Sequence, residues 1–251
     1  MTMKETQIIM DMPITVEIVD KKAEKETFSA VFSYLNRVDA RFSVFKKDSE
    51  ISRINRGEIS KDEYSIEMQE VFDIAEKTKR ETDGYFDIVR PDGSIDPSGI
   101  VKGWAILNSA KIVISMGYKN FFVDAGGDIQ TSGKNAEGEE WSVGIRNPFK
   151  REENIKIIYP HGLGVATSGT YIRGQHIYDP HKPGEKLNEI VSLTVIGPDV
   201  LEADRFATAA FAMGRKGINF IEQLPNFEGY SVDLAGIATM TSGFEKYTKK
   251  I

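Results

Sequence analysis

The sequence predicts an α+β fold in a single domain, residues 1–251, with helices packed on a largely antiparallel or mixed sheet. Two observations predict it. Hydrophobic stripes of helical period crowd the first half of the chain, and short strand-like segments crowd the second. No regular strand–helix–strand alternation joins them, and a parallel sheet would need one. No internal repeat, low-complexity tract or linker divides the chain, and 40 % apolar residues are enough for a sizeable core.

The elements follow in order. Residues 14–19 alternate around Val16 and Ile18, a strand pattern. Phe28, Val31, Phe32, Leu35 and Val38 fall on one face of a helix, which is read as core. A second helix is expected over 66–79, with Val71, Phe72 and Ala75 inward, stopping before Asp83-Gly84. The third runs over about 101–116 on a stripe of Val101, Trp104, Ala105, Asn108 and Ile112, with Gly117 as its cap. Strands are then expected at 121–124, 141–145, 155–159 and 192–196, broken by Gly126-Gly127 and by residues 135–138. A fourth helix covers 202–213 and a fifth follows to Leu224, before a hairpin of 230–233 and 237–241 turning at Ala235-Gly236.

Composition excludes several classes. The chain has 32 Lys and Arg against 38 Asp and Glu, a net charge of −6, opposite in sign to the footprint of a nucleic-acid binder. With no Cys, disulfides, thiolate metal sites, thiol nucleophiles and a lipid-bearing Cys are excluded. Only His161, His176 and His181 are present, so a metal would be held mainly by oxygen, which suits Mg²⁺ or Ca²⁺. There is no signal-peptide core and no long apolar run, so no membrane segment is expected. As written, the chain reads as cytoplasmic, and as extracytoplasmic if a leader or lipid anchor was removed.

Walker A, Gly-x-Gly-x-x-Gly, Gly-x-Ser-x-Gly and His-Glu-x-x-His motifs are all missing. What stands out is Asp beside Gly, Ser and Thr at element ends: Asp87, Asp96, Asp124, Asp128, Asp179 and Asp204. Each alone reads first as a cap or turn residue. Four combinations are sharper. Asp204 and Thr208, four apart on a helix, present oxygens on one side, either as an N-terminal acid and a back-bonding Thr or as ligands of one hard cation. The turn from Asp96 to Trp104 enters a helix whose N–H groups, with Lys102, suit phosphate, or is a plain capped start. In 123–129 a strand meets Gly126-Gly127, which serve a bulge or turn, or let a flat ligand lie on bare backbone. Residues 166–171, with Thr167, Ser168 and Gly169, followed by His176 to Pro180, read as a phosphate loop with a general base, or His176 is structural.

The motifs also come in a characteristic order: residues 42–55, 82–87, 98–104, 124–128, 166–169, 176–180 and 203–208. Together they resemble the ApbE family of flavin transferases, the FAD:protein FMN transferases, from about Met10 to Met240. The resemblance implies FAD as substrate in a cleft between sub-lobes, and Mg²⁺-dependent transfer of FMN to a Ser or Thr of an acceptor flavoprotein with release of AMP. It implies metal ligation by Asp204 and Thr208 side chains and the Gly99 carbonyl. Met10, Phe45, Lys102, Asp124, Gly126, Gly127, Asp128, Thr167, Ser168 and Gly169 match positions expected around FAD, and His176 matches the catalytic base. Phe45 stands where transferring members often have Tyr, and Asp11-Met12 replaces a usual small pair after Met10.

The chemistry is coherent with that resemblance. Opening a pyrophosphate needs stabilisation of growing negative charge, and a hydroxyl nucleophile needs a base with pKa near neutrality. Attack by water instead would make a FAD pyrophosphatase yielding FMN and AMP, and a non-catalytic FAD-binding protein is the remaining alternative. Residues 233–239 share the Asp and the final Ala-Thr of an acceptor signature; they are read as a core strand, with the acceptor another protein.

Overall fold

The computed structural model describes residues 2–20, 23–150, 152–170 and 177–249. Eight strands form one sheet: β1 (Met3–Ile9), β2 (Met12–Ile18), β3 (Phe121–Ala125), β4 (Asp128–Ser132), β7 (Gly164–Gly169), β8 (Ile190–Gly197), β9 (Glu228–Asp233) and β10 (Ala238–Met240). They lie in the order β1-β2-β3-β4-β7-β8-β9-β10, with every neighbouring pair antiparallel. A separate hairpin joins β5 (Val143–Arg146) to β6 (Asn154–Ile158). The helices are α1 (Lys25–Phe42), α2 (Glu50–Asn55), α3 (Ile66–Glu81), α4 (Ser98–Ser115), α5 (Val200–Ala212) and α6 (Gly217–Gln223).

The sheet separates two apolar layers. On one face α1 and α4 pack over β2 and β3 around Phe28, Leu35, Trp104, Val16 and Val123. Beside them α5 lies along β7 and β8, where Ala203, Ala207 and Phe211 meet Ala166, Leu193 and Val195. The run of small residues on α5 lets the helix approach the strands closely. The other face is covered by β5, β6 and the 3₁₀ turn Phe244–Thr248 through Ile145, Ile158, Phe244 and Tyr247. Strand β8 is buried along its whole length, as a central strand with both faces covered should be.

The antiparallel α+β class and the five expected helices are present, but several local expectations need correction. Strands β1, β4 and β7 were not expected. β1 is a polar edge strand, so its sequence carries little alternation, and β4 and β7 are buried on both faces with Thr, Ser and Gly among their residues. Segment 166–169 is therefore a strand, not a loop. Helix α2 is short, and its Ser49 cap accepts the Ser52 N–H at 3.1 Å. Residues 238–240 are exposed on the sheet edge rather than in the core, because β10 has β9 on one side only. No helix among the described residues is long and apolar enough to cross a membrane.

One buried cation fastens α3 to α5. Arg205 is 2 % exposed; its guanidinium donates to Glu202 Oε1 at 2.9 Å and to Glu202 Oε2 and Glu81 Oε2 at 2.5 Å, and to Thr78 Oγ1 at 3.2 Å. It also lies 3.9 Å from the Phe206 ring centroid. Such a planar fork engages several acceptors at once in a rigid geometry that an ammonium lacks. Arg205→Ala should lower unfolding free energy by about 2–4 kcal/mol, tempered because Glu81 and Glu202 reach solvent and can rehydrate. Urea unfolding checks this; Arg205→Lys should recover less than half of the loss.

Candidate functional site

The site begins where α4 crosses α5. Gly103 sits in the interior of α4, and a Cβ there would lie 2.9 Å from Asp204 Cβ and 3.0 Å from Leu201 Cα and Val200 O. Only a hydrogen lets the two helices approach this closely. The approach brings the Gly103 N–H to Asp204 Oδ2 at 2.9 Å. In a regular helix that N–H serves the carbonyl four residues earlier, which is Gly99. Asp204 thus competes for the usual partner of the Gly99 carbonyl. A Cβ at Gly99 would meet the Phe86 ring at 2.9 Å and Thr208 Cγ2 at 3.6 Å. Asp204 and Thr208, one turn apart on α5, thus lie against the first turns of α4, at Gly103 and Gly99 respectively.

Helix α5 is held at its start by two acceptors: Asp199 takes the Glu202 N–H and Gln130 Oε1 takes the Val200 N–H, both at 2.9 Å. A Cβ on Gly164 would be 2.0 Å from Val200 N, so β7 too makes room for this helix end. Asp128 lies two residues before Gln130 on β4 and so points to the same, helix-covered face. Its Oδ1 accepts the Thr167 N–H at 3.0 Å, and its Oδ2 contacts the Lys102 ammonium. Lys102 Nζ is also 3.6 Å from Asp204 Oδ1. Burial pushes the Asp204 carboxyl well above the usual range; Lys102 opposes this, and the neighbouring Asp128 charge adds to it. The result is an acid pair with one ammonium at its mouth.

Two tight turns lie side by side at one end of the sheet. Met10 and Asp11 both take positive φ, 54° and 57°, and close the β1–β2 hairpin in the manner of a type I′ turn. Gly126 and Gly127, φ 64° and 101°, close β3–β4. The Gly126 N–H donates to Pro13 O at 3.3 Å, and a Cβ on Gly126 would sit 3.2 Å from Met12 Sδ. The two glycines thus serve the turn, and Gly127 also faces open space, with nothing within 4 Å of a Cβ there. Asp124 accepts the Gly127 N–H at 2.8 Å, and burial raises its carboxyl pKa.

The remaining expected residues divide. Ser168 is buried, and it shares the α5-facing side of β7 with Ala166. Thr167 Oγ1 is hydrogen-bonded to Thr194 Oγ1 at 2.9 Å, and Gly169 ends the strand opposite Ser192. Phe45 is not drawn into the cluster: its ring is 87 % exposed in the turn after α1. His176 lies outside the described residues. Asp87, Asp96 and Asp179 act as local caps, accepting the N–H of Val89, Ser98 and His181. Sequence reasoning missed Gly103 and Gln130. A glycine inside a helix was the available signal for the first, since it costs helix stability unless something needs the space.

The same fold occurs in the apbe protein of Thermotoga maritima, which superposes at a TM-score of 0.88 over 99 % of this chain and 100 % of that one, at 21 % identity. Among curated sequences, a Vibrio cholerae protein named FAD:protein FMN transferase is 30 % identical over 166 residues, 62 % of this chain and 48 % of that protein. A Haemophilus influenzae protein of the same name is 23 % identical over 291 residues, 90 % and 84 % of the two chains. The matched stretch thus spans about half the length of the Vibrio relative. The ApbE family pattern matches residues 10–92 and 88–231, and the chain belongs to that family.

The crossing at Gly103 gives a direct test. On helix propensity alone Gly103→Ala should stabilise by about 1 kcal/mol. The contacts at 2.9–3.0 Å reverse the sign, and a net loss of about 1–3 kcal/mol is expected from overpacking. Chemical denaturation reads the sign, and a stabilised variant would refute the tight crossing.

Proposed function

We propose that the chain transfers FMN from FAD to a Ser or Thr hydroxyl of an acceptor flavoprotein, releasing AMP, in a Mg²⁺-dependent reaction carried by one domain. The convergence of Asp204, Thr208 and Gly99 beside an acid–ammonium cluster carries this reading. Membership of the ApbE family and the names of the curated relatives support it.

The donor set suits a hard cation: one buried carboxylate, one hydroxyl and a carbonyl whose customary N–H partner is shared with Asp204. Asp204 and Thr208 through their side chains and Gly99 through its carbonyl would hold Mg²⁺. When bound, the ion supplies Lewis-acid neutralisation of charge on the pyrophosphate oxygens. Lys102 adds a positive charge at the same place, where Asp128 faces it in the cation-free chain. The paired turns at Met10-Asp11 and Gly126-Gly127, with Asp124, Thr167, Ser168 and Gly169, would line the FAD site, with Phe45 offering an exposed ring for stacking. The acceptor oxygen attacks the FMN-side phosphorus, the bond to the AMP phosphate breaks, and His176 takes the hydroxyl proton.

The decisive assay incubates the protein with FAD, Mg²⁺ and a separate acceptor domain, then weighs the acceptor and quantifies free FMN. A mass gain on the acceptor supports transfer; free FMN and AMP with an unmodified acceptor would make the protein a FAD pyrophosphatase, and no turnover a FAD-binding protein. His176→Asn should slow transfer roughly 10²- to 10⁴-fold with little change in FAD affinity. Asp204→Asn, which keeps the side-chain shape, should raise the half-saturating Mg²⁺ by more than the roughly 10- to 100-fold typical of losing a mere outer-shell partner.

A further inference from the structure

The acid pair is wired in an uneven way. Asp128 comes from β4 and Asp204 from α5, and their side chains are only 2 % and 3 % exposed. Each gives one oxygen to a backbone N–H: Asp128 Oδ1 to Thr167 at 3.0 Å, Asp204 Oδ2 to Gly103 at 2.9 Å. The other oxygen of each, Asp128 Oδ2 and Asp204 Oδ1, faces the Lys102 ammonium. The backbone thus fixes both carboxylates, and their two remaining oxygens converge on one positive charge. Lys102 is 26 % exposed along its side chain, whereas the two acids its ammonium faces are almost wholly buried.

Two carboxylates buried together repel and are costly to desolvate without a counter-charge. Arg205, next in sequence to Asp204, answers its acids with a rigid, multiply bonded fork. Lys102 answers with a compact charge on a flexible four-carbon stem, which releases its partners far more readily. We propose that Lys102 is a tethered counter-cation that reserves the Asp128–Asp204 seat until a divalent cation displaces it. The inference rests on the cation reading of Asp204 given above and adds a competitor to it. Lys102 stabilises the cation-free chain and weakens cation binding in the same measure. Once displaced, its ammonium stays tethered on α4 beside the cation, where it is available to an anionic phosphate. Cation and phosphate ligand should therefore each favour the other, since whatever draws Lys102 outward vacates the seat.

The test titrates Mg²⁺ alone into the full chain at pH 8, by calorimetry and by thermal unfolding, with no FAD present. Lys102→Met keeps the stem and removes the charge. Compared with the wild type, it should melt at lower temperature without Mg²⁺, bind Mg²⁺ roughly tenfold tighter or more, and gain a larger melting shift from Mg²⁺. Lys102→Arg keeps the charge and should bind Mg²⁺ no tighter than wild type. If Lys102→Met folds only when Mg²⁺ is added, that also supports the inference; a variant that Mg²⁺ cannot restore overturns it. Equal or weaker Mg²⁺ binding by a folded Lys102→Met overturns the counter-cation role while leaving the cation site standing. If neither wild type nor variant responds to Mg²⁺, the cation reading of Asp204 falls with it.

Discussion

The close crossing of α4 and α5 at Gly103 is the constraint on which the site depends. Because residue 103 has no side chain, Asp204 reaches a backbone N–H of the opposite helix, and Gly99 comes to face Thr208. Every other feature serves that contact. Gln130 and Asp199 hold the first N–H groups of α5, Gly164 gives the helix end room on β7, and the small residues of α5 let it settle on the sheet. A hydrogen bond between two helices is worth little alone. Its importance lies in fixing where an unusually costly group, a buried carboxylate, is pointed.

Charge is then placed by two different means. Arg205 belongs to the architecture, since its guanidinium is shared among Glu81, Glu202 and Thr78 and stacked on Phe206. Lys102 belongs to the site, where it faces two acids that the backbone has already oriented. The same chain thus uses a planar, multiply bonded cation to hold two helices together and a single-point cation beside two buried acids.

The helices were legible because their stripes are long and their period unambiguous, as with Phe28 to Val38. The end of β3 was legible in the Gly126-Gly127 break, although β4 beyond it was not. β7 was not, since Gly164 to Gly169 has the composition of a loop, and its burial comes from α5 on one face and from the second apolar layer on the other. Local sequence does not carry that information. The spacing of Asp204 and Thr208 was visible on a helical wheel, whereas the approach of Asp204 to Gly103 and Lys102, and of Thr208 to Gly99, depends on packing between elements far apart in the chain. Lys102 was expected near phosphate; its engagement with Asp128 is a property of the folded charge distribution alone.

The pairing of β2 with β3 has a kinetic consequence. Ile14 to Ile18 pair with a strand that follows four helices later, and α5 packs along β7 and β8. Contacts this remote in sequence slow folding, because the chain must close large loops before it is rewarded. During synthesis the inner edge of β2 stays unpaired until β3 has emerged. The acid pair forms later still, when residue 204 arrives. The chain therefore passes through a long interval with one edge of its earliest hairpin unpaired, while the polar, exposed strand β1 guards the other edge.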